Sequence, residues 1–183
     1  SFHLNGQMLD LVPFGGLERN GEVHLENPHM ELSVYGCTEV VSGAPTFSEK
    51  YKVITLPGIC ILKLIAFGDK PDWRQKDFED FLLVLENYGD IAGEELFAGD
   101  YDDLIDGDFE FSVASARMLG RHMQTPANKN QDLKDRLVEI LKDKQHGFTS
   151  EEISQMFLQN KDDKQAIQFK LIDETIKGLL DPI

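Results

Sequence analysis

A single carboxylate, Asp10, lies in an apolar run near the start of the sequence. The run QMLDLVPFGGLE, residues 7–18, places Asp10 between Met8 and Val12 on one face of a predicted strand. A strand interior is an uncommon place for aspartate, and desolvating its charge is costly unless the group is paired or binds a metal. An exposed strand face, or a cap on a neighbouring turn, agrees with the spacing equally well. Asp10 is therefore a candidate functional carboxylate.

Lys63 is the second candidate, in the segment GICILKLIAFGD. Its neighbours are apolar through two turns of a predicted helix. A lysine in such a place either extends its ammonium to the surface along apolar neighbours or directs it into a cleft. An ammonium in a cleft suits a phosphate or a carboxylate. The sequence leaves both alternatives open.

A third group of candidates lies in the segment RQKDFEDFL. Asp77 and Asp80 are three residues apart on a predicted helix and so share a face. Arg74 and Lys76 lie just upstream, and Lys76 can pair with Asp80 at the i+4 spacing. An ordinary solvated charged turn is one interpretation. Asp77 also adjoins the apolar face that contains Phe81, which favours partial burial of its carboxylate.

Other familiar motifs are missing from the sequence. The acidic stretch at residues 100–108 lacks the glycine that an EF-hand loop requires at its sixth position, so we interpret it as a solvated loop leading into a helix. No G-x-S-x-G, Walker A or G-x-G-x-x-G motif occurs. The histidines show no His-x-x-x-His or His-Glu-x-x-His spacing; they are His3, His24, His29, His122 and His146.

The elements that would position Asp10 are short strands. Residues 1–56 are predicted to be β-rich, and Asn5-Gly6 is typical of a two-residue hairpin turn. A helical turn is predicted over residues 36–42. The predicted strands cover residues 2–4, 8–14, 22–26, 30–35 and 51–55.

From Pro57 onward the apolar period becomes helical. The first helix is apolar nearly all round, so we expect it to be central and buried. Residues 57–123 form a helical part that carries Lys63 and the Lys-Asp-x-x-Asp motif, and residues 124–183 form a C-terminal helical region. The fold class is therefore α+β. The predicted helices cover residues 57–67, 73–88, 109–123, 130–144, 149–159 and 161–180. Gly89 is expected to end the second of these helices.

Bulk composition limits the partners. The 183 residues carry a formal net charge of −15, which disfavours non-specific binding to nucleic-acid phosphates. No run approaches the ~18 apolar residues of a membrane span, and no signal-peptide pattern opens the chain. Cys37 and Cys60 have apolar neighbours and no metal-ligand spacing, as expected for thiols in a reducing compartment. We therefore expect a soluble, cytoplasmic protein.

Four segments, taken in order, resemble one family. LDLVPFGGLE, VITLPGICILKLIAF, RQKDFEDFLLVLENY and SARMLGRHM are similar to the nucleotidyl transferase family of the AbiEii/AbiGii toxin type, within the DNA polymerase β-like nucleotidyltransferase superfamily. The resemblance covers roughly residues 4–123. It implies a partial nucleotidyltransferase-type mixed sheet followed by a helical C-terminal half.

The resemblance also implies a reaction. Such enzymes transfer a nucleoside monophosphate from an NTP to a protein, RNA or small-molecule acceptor, using Mg²⁺ held by carboxylates. By resemblance, Asp10 is the third metal carboxylate and Lys63 meets the NTP phosphates together with Arg74 and Lys76. Asp77 and Asp80 match the family's late acidic motif, where one carboxylate acts as a base or orients the lysine.

The sequence departs from the family at its beginning. The Gly-Ser loop and the Asp-x-Asp that open the family's pattern are not found, so we expect them upstream of Ser1, and we expect this chain alone not to catalyse transfer. The family is associated with toxin–antitoxin and phage-defence pairs, which implies an antitoxin or another protein partner. The alternative is an inactive relative that serves as a protein-binding scaffold.

Overall fold

The N-terminal part of the chain forms short antiparallel ribbons. The structure is a computed structural model that describes residues 2–26, 29–47, 50–105, 107, 109–159 and 163–182. Strands β1 (Phe2–Leu4) and β2 (Gln7–Leu9) pair through a two-residue turn. Asn5 and Gly6 have φ values of 50° and 81°, the left-handed pair that this tight turn requires. The predicted hairpin is confirmed.

Two further ribbons follow. Strand β3 (Glu22–Glu26) pairs with β4 (His29–Ser33), and β5 (Thr46–Phe47) pairs with β6 (Tyr51–Lys52). Helix α1 (Cys37–Gly43) lies between these two ribbons. Each strand pairs only with its neighbour in the chain, so the described residues form three two-stranded antiparallel sheets and not the mixed sheet that we expected.

The predicted strand at residues 8–14 was too long. Phe2 already pairs with Leu9, so β2 has no partner residue beyond Leu9 among those described. Pro13 also lacks the N–H that a ladder needs. Asp10 therefore lies just after the strand and is exposed, not inside it.

The remainder is helical, as predicted. Thr55 caps α2 by accepting a hydrogen bond from the Gly58 N–H at 3.4 Å. Two 3₁₀ turns, Gly93–Phe97 and Asp102–Leu104, follow α3. Asp106, Asp108 and Lys161, which belong to predicted elements, lie outside the described residues. The helices are α2 (Leu56–Asp69), α3 (Gln75–Ala92), α4 (Phe111–Ala127), α5 (Gln131–Lys144), α6 (Ser150–Gln159) and α7 (Lys164–Leu180).

Gly89 does not end α3, although the sequence pattern suggested a stop there. The helix continues to Ala92, and Gly89 faces α4. A Cβ at Gly89 would lie 2.5 Å from Cε1 of Phe111. The glycine therefore allows α3 and α4 to approach closely, which is a long-range reason that local sequence does not reveal.

One hydrophobic core joins α2, α3, α4, α5 and α7. The predicted central helix is confirmed, since Ile61 and Leu64 of α2 are fully buried. Helices α4 and α7 cross with their backbones in contact, because a Cβ at Gly120 would lie 2.2 Å from the Thr175 carbonyl oxygen. The core therefore includes residues on both sides of position 123, the boundary between the two predicted helical regions.

The ribbon β3–β4 is tied to this core by a polar contact at its end. Ser33 Oγ donates to Asp69 Oδ2 at 2.5 Å, and Arg136 also pairs with Asp69. The Arg136 guanidinium lies 5.2 Å from the Tyr35 ring centroid.

Within the described part of the chain, no helix is both long and apolar enough to cross a membrane.

Candidate functional site

The Lys63 site is built by two consecutive helices. Lys63 lies in the middle of α2, between the half-buried Leu62 and the buried Leu64 of an otherwise apolar helix. Asp77 lies in the first turn of α3, and Asp80 is one turn further along. Because α2 and α3 pack together directly after a short connection, their facing side chains meet without help from distant parts of the chain.

The three side chains form a closed ion-pair cluster. Lys63 Nζ donates to Asp77 Oδ1 at 2.8 Å and to Asp80 Oδ2 at 2.7 Å. Arg74 Nε lies 2.7 Å from the other Asp77 oxygen, Oδ2. The Lys63 ammonium is therefore held by two carboxylates. The i+4 partner suggested for Asp80, Lys76, only adds a nearby positive charge.

The cluster is partly shielded from water. Asp77 is 8% exposed, which confirms the expected burial of its carboxylate. Hydrogen bonds to Asp77 and then to Asp80 raise the pKa of Lys63 above its ordinary value. The hydrogen bond from Lys63 lowers the pKa of Asp80. Both groups are therefore charged at neutral pH.

This geometry is better suited to orienting a cation than to acting as a base. An ammonium has three N–H donors, and the two carboxylates accept two of them, which leaves one N–H for a phosphate oxygen. Asp80, with its lowered pKa, is a weak proton acceptor. Asp77 is held between Lys63 and Arg74. Of the two roles considered for the carboxylates, the contacts favour orientation of Lys63.

Asp10 does not belong to a preformed metal site among the described residues. It is exposed just beyond β2, and the described residues contain no group of three or more His, Cys, Asp or Glu side chains placed to hold a metal ion. Asp77 and Asp80 are both engaged by Lys63. The described residues of this chain do not make up a complete magnesium site by themselves.

A second polar cluster was missed in the sequence. His122 of α4 lies between two tyrosines: Tyr88 Oη is 2.6 Å from Nδ1 and Tyr101 Oη is 2.6 Å from Nε2. The Glu95 Oε2 atom lies 3.3 Å from Nε2. Burial lowers the pKa of His122, opposed by the charge of Glu95, and burial raises the pKa of Tyr88.

No local spacing could have identified the His122 cluster. Its members come from α3, the turn that follows it, a loop and α4. The one available signal is a histidine on the face of α4 that also carries Met118 and Leu119, four and three residues earlier. Such a histidine is expected to be buried, but its partners cannot be read from the sequence.

Comparison with protein families, with curated proteins and with solved structures finds no match to this chain.

Proposed function

We propose that this chain is a nucleotidyltransferase-family protein and forms part of a nucleotidyltransferase-type fold. It binds an NTP and, where a Gly-Ser loop and an Asp-x-Asp complete the site, transfers a nucleoside monophosphate to a protein, RNA or small-molecule hydroxyl. A toxin–antitoxin or phage-defence setting fits this activity. The observation that supports the proposal is the Lys63 ammonium, held by Asp77 and Asp80.

The chemistry assigns each residue one task. Lys63 binds a phosphate oxygen of the NTP and stabilises charge that develops there. Asp77 and Asp80 fix the position of the ammonium, and Arg74 fixes Asp77. When bound, Mg²⁺ supplies Lewis-acid stabilisation of the triphosphate, and Asp10 is the ligand that this chain contributes.

Calorimetric titration with ATP, GTP, CTP and UTP in the presence of Mg²⁺ tests the lysine. We expect saturable binding of at least one nucleotide, weakened roughly tenfold or more in Lys63→Met, since one charge-assisted hydrogen bond to phosphate is lost. Lys70→Met, at the exposed end of α2, is the matched control and should bind like the parent. Equal binding by both variants would contradict the assignment.

The metal assignment has a separate test. Nucleotide binding should be stronger with Mg²⁺ than with EDTA, and Asp10→Ala should abolish this difference. Asp143→Ala, an exposed aspartate of α5, should preserve it. A magnesium dependence that survives in Asp10→Ala rejects Asp10 as a ligand while leaving the role of Lys63 intact.

A protein-binding scaffold is the second candidate function, and a specific observation favours it. Large apolar side chains after the first hairpin are exposed: Leu11 is 74% exposed and Leu17 is 64% exposed. Exposed apolar surface of this kind is typical of a protein-binding site. A scaffold would bind none of the four nucleotides, and replacing Leu11 and Leu17 with serine would weaken its complex with a protein partner.

A further inference from the structure

A cavity of about 310 Å³ lies at the N-terminal end of α2, beside α1 and α4. Its apolar wall includes Val40, Pro57 and Pro126, and its polar end includes Glu95 and His122. This volume and this mixture of walls are typical of sites for small organic molecules. None of these residues belongs to the Lys63 cluster.

The cavity is well separated from the Lys63 cluster along α3. Tyr88, which lines the cavity, lies three turns beyond Asp77 on the same helix, a distance of about 16 Å. Ligand binding at one place therefore need not involve the other. The two sites can be altered independently by substitution.

A hydrogen bond joins Tyr88 and His122 at the polar end of the cavity. A carboxylate only accepts hydrogen bonds, so Glu95 beside Nε2 favours the tautomer of His122 with its proton on Nε2, and Tyr88 then donates to Nδ1. Tyr88 is 3% exposed and fixed by this bond. The side chain of Glu95 is 58% exposed, so its carboxylate can accept a further donor at the mouth of the cavity.

The formal charge among the residues that line the cavity favours a cation over an anion. The N-terminus of α2 offers little to an anion, because Thr55 already accepts from the N–H groups of Gly58 and Ile59 and Pro57 has no N–H. Burial keeps His122 neutral by lowering its pKa. Glu95 is thus the one formally charged group among the residues that line the cavity.

We propose that this cavity binds a small organic ammonium compound with a compact apolar body. The ammonium donates to the Glu95 carboxylate at the mouth, and the carbon skeleton packs against Val40, Pro57 and Pro126. The net charge of −15 on the chain adds a general attraction for cations. The inference does not depend on nucleotide transfer, and Lys63→Met should leave this binding unchanged.

Isothermal titration of the full chain with 2-phenylethylamine, and with 2-phenylethanol as its neutral counterpart, tests the charge preference. The amine should bind saturably with one molecule per chain. The alcohol should bind about fivefold more weakly, which is the upper range for an ion pair with a partly exposed carboxylate. Absence of saturable amine binding, or equal affinity for both compounds, overturns the proposal.

Two pairs of variants locate the site. Glu95→Gln should reduce amine affinity to that of the alcohol, whereas Glu94→Gln, its exposed neighbour outside the cavity, should not. Thr125→Trp should fill the cavity and abolish binding of both compounds, whereas Thr38→Trp on the exposed side of α1 should preserve it. Circular dichroism confirms that each variant is folded. Equal effects within either pair place the binding elsewhere and contradict the proposal.

Discussion

Large apolar side chains are buried more often in one region of this molecule than in the other. We call α2–α5 and α7 the helical body, and β1–β6 with their connections the ribbon segment. Leu119 in the helical body is fully buried, whereas Leu11 in the ribbon segment is 74% exposed. A helix of 14–18 residues presents faces to several neighbours. A two-stranded ribbon covers neither of its faces and is marginally stable alone. The two regions therefore differ in burial because the helices have longer packing surfaces than the ribbons, more than because they have more apolar residues.

The largest expected contrast is between these two leucines. Leu119→Ala should lower the free energy of unfolding by about 3–4 kcal/mol, because it removes buried surface and leaves a cavity. Leu11→Ala should change it by less than about 0.5 kcal/mol. Urea denaturation followed by far-ultraviolet circular dichroism measures both. Similar losses for the two variants would mean that the ribbon segment is packed as firmly as the helical body.

The sequence predicted the helical body better than the ribbon segment, for a physical reason. The periodicity of α2 depends on residues three and four apart, so the central helix was found from local information. The end of β2 depends instead on how far its partner strand reaches, and the role of Gly89 depends on Phe111 in another helix. Neither is encoded in neighbouring residues.

The same distinction applies to the two polar clusters. Lys63, Asp77 and Arg74 were candidates from sequence because of their residue types and local spacing. They lie on or next to consecutive helices, and a short connection brings them together. His122 and Tyr88 are separated by 34 residues, and their contact depends on how α3 and α4 pack. The cavity beside Tyr88 and His122 also depends on how the helices pack, so local sequence does not predict it.

Glycine provides the second contrast between the regions. Gly120→Ala should lower the free energy of unfolding by about 3 kcal/mol, the upper range for overpacking, because the new Cβ would meet the Thr175 carbonyl oxygen at 2.2 Å. A backbone atom of α7 cannot move aside as a flexible side chain can. Gly16→Ala should change stability by less than about 0.5 kcal/mol, since a Cβ there meets nothing within 4 Å.

Urea titrations of the two alanine variants measure this contrast. Gly178→Ala provides an internal check from the other side of the crossing, since its Cβ would lie 2.1 Å from the Arg117 carbonyl oxygen. It should destabilise the protein to a similar extent. A stable Gly120→Ala protein would show that α4 and α7 can separate without loss, and the close crossing would then not distinguish the helical body.

The smallest expected contrast is in pH dependence. Burial lowers the pKa of His122 in the folded state, so below the unfolded value of about 6.5 the unfolded chain takes up a proton that the folded chain resists. Stability should therefore fall as pH is lowered from about 7 to about 5.5. The carboxylates with lowered pKa, such as Asp80, lose their contribution to stability only at lower pH, below the unfolded aspartate value of about 3.9.

Between about pH 7 and about pH 5.5, the unfolding free energy should fall less steeply in His122→Gln than in the parent, whatever the absolute cost of its lost hydrogen bonds. His24→Gln, at an exposed position in β3, is the matched control. Equal slopes in the two variants would mean that burial of the His122 cluster does not set the protonation of His122.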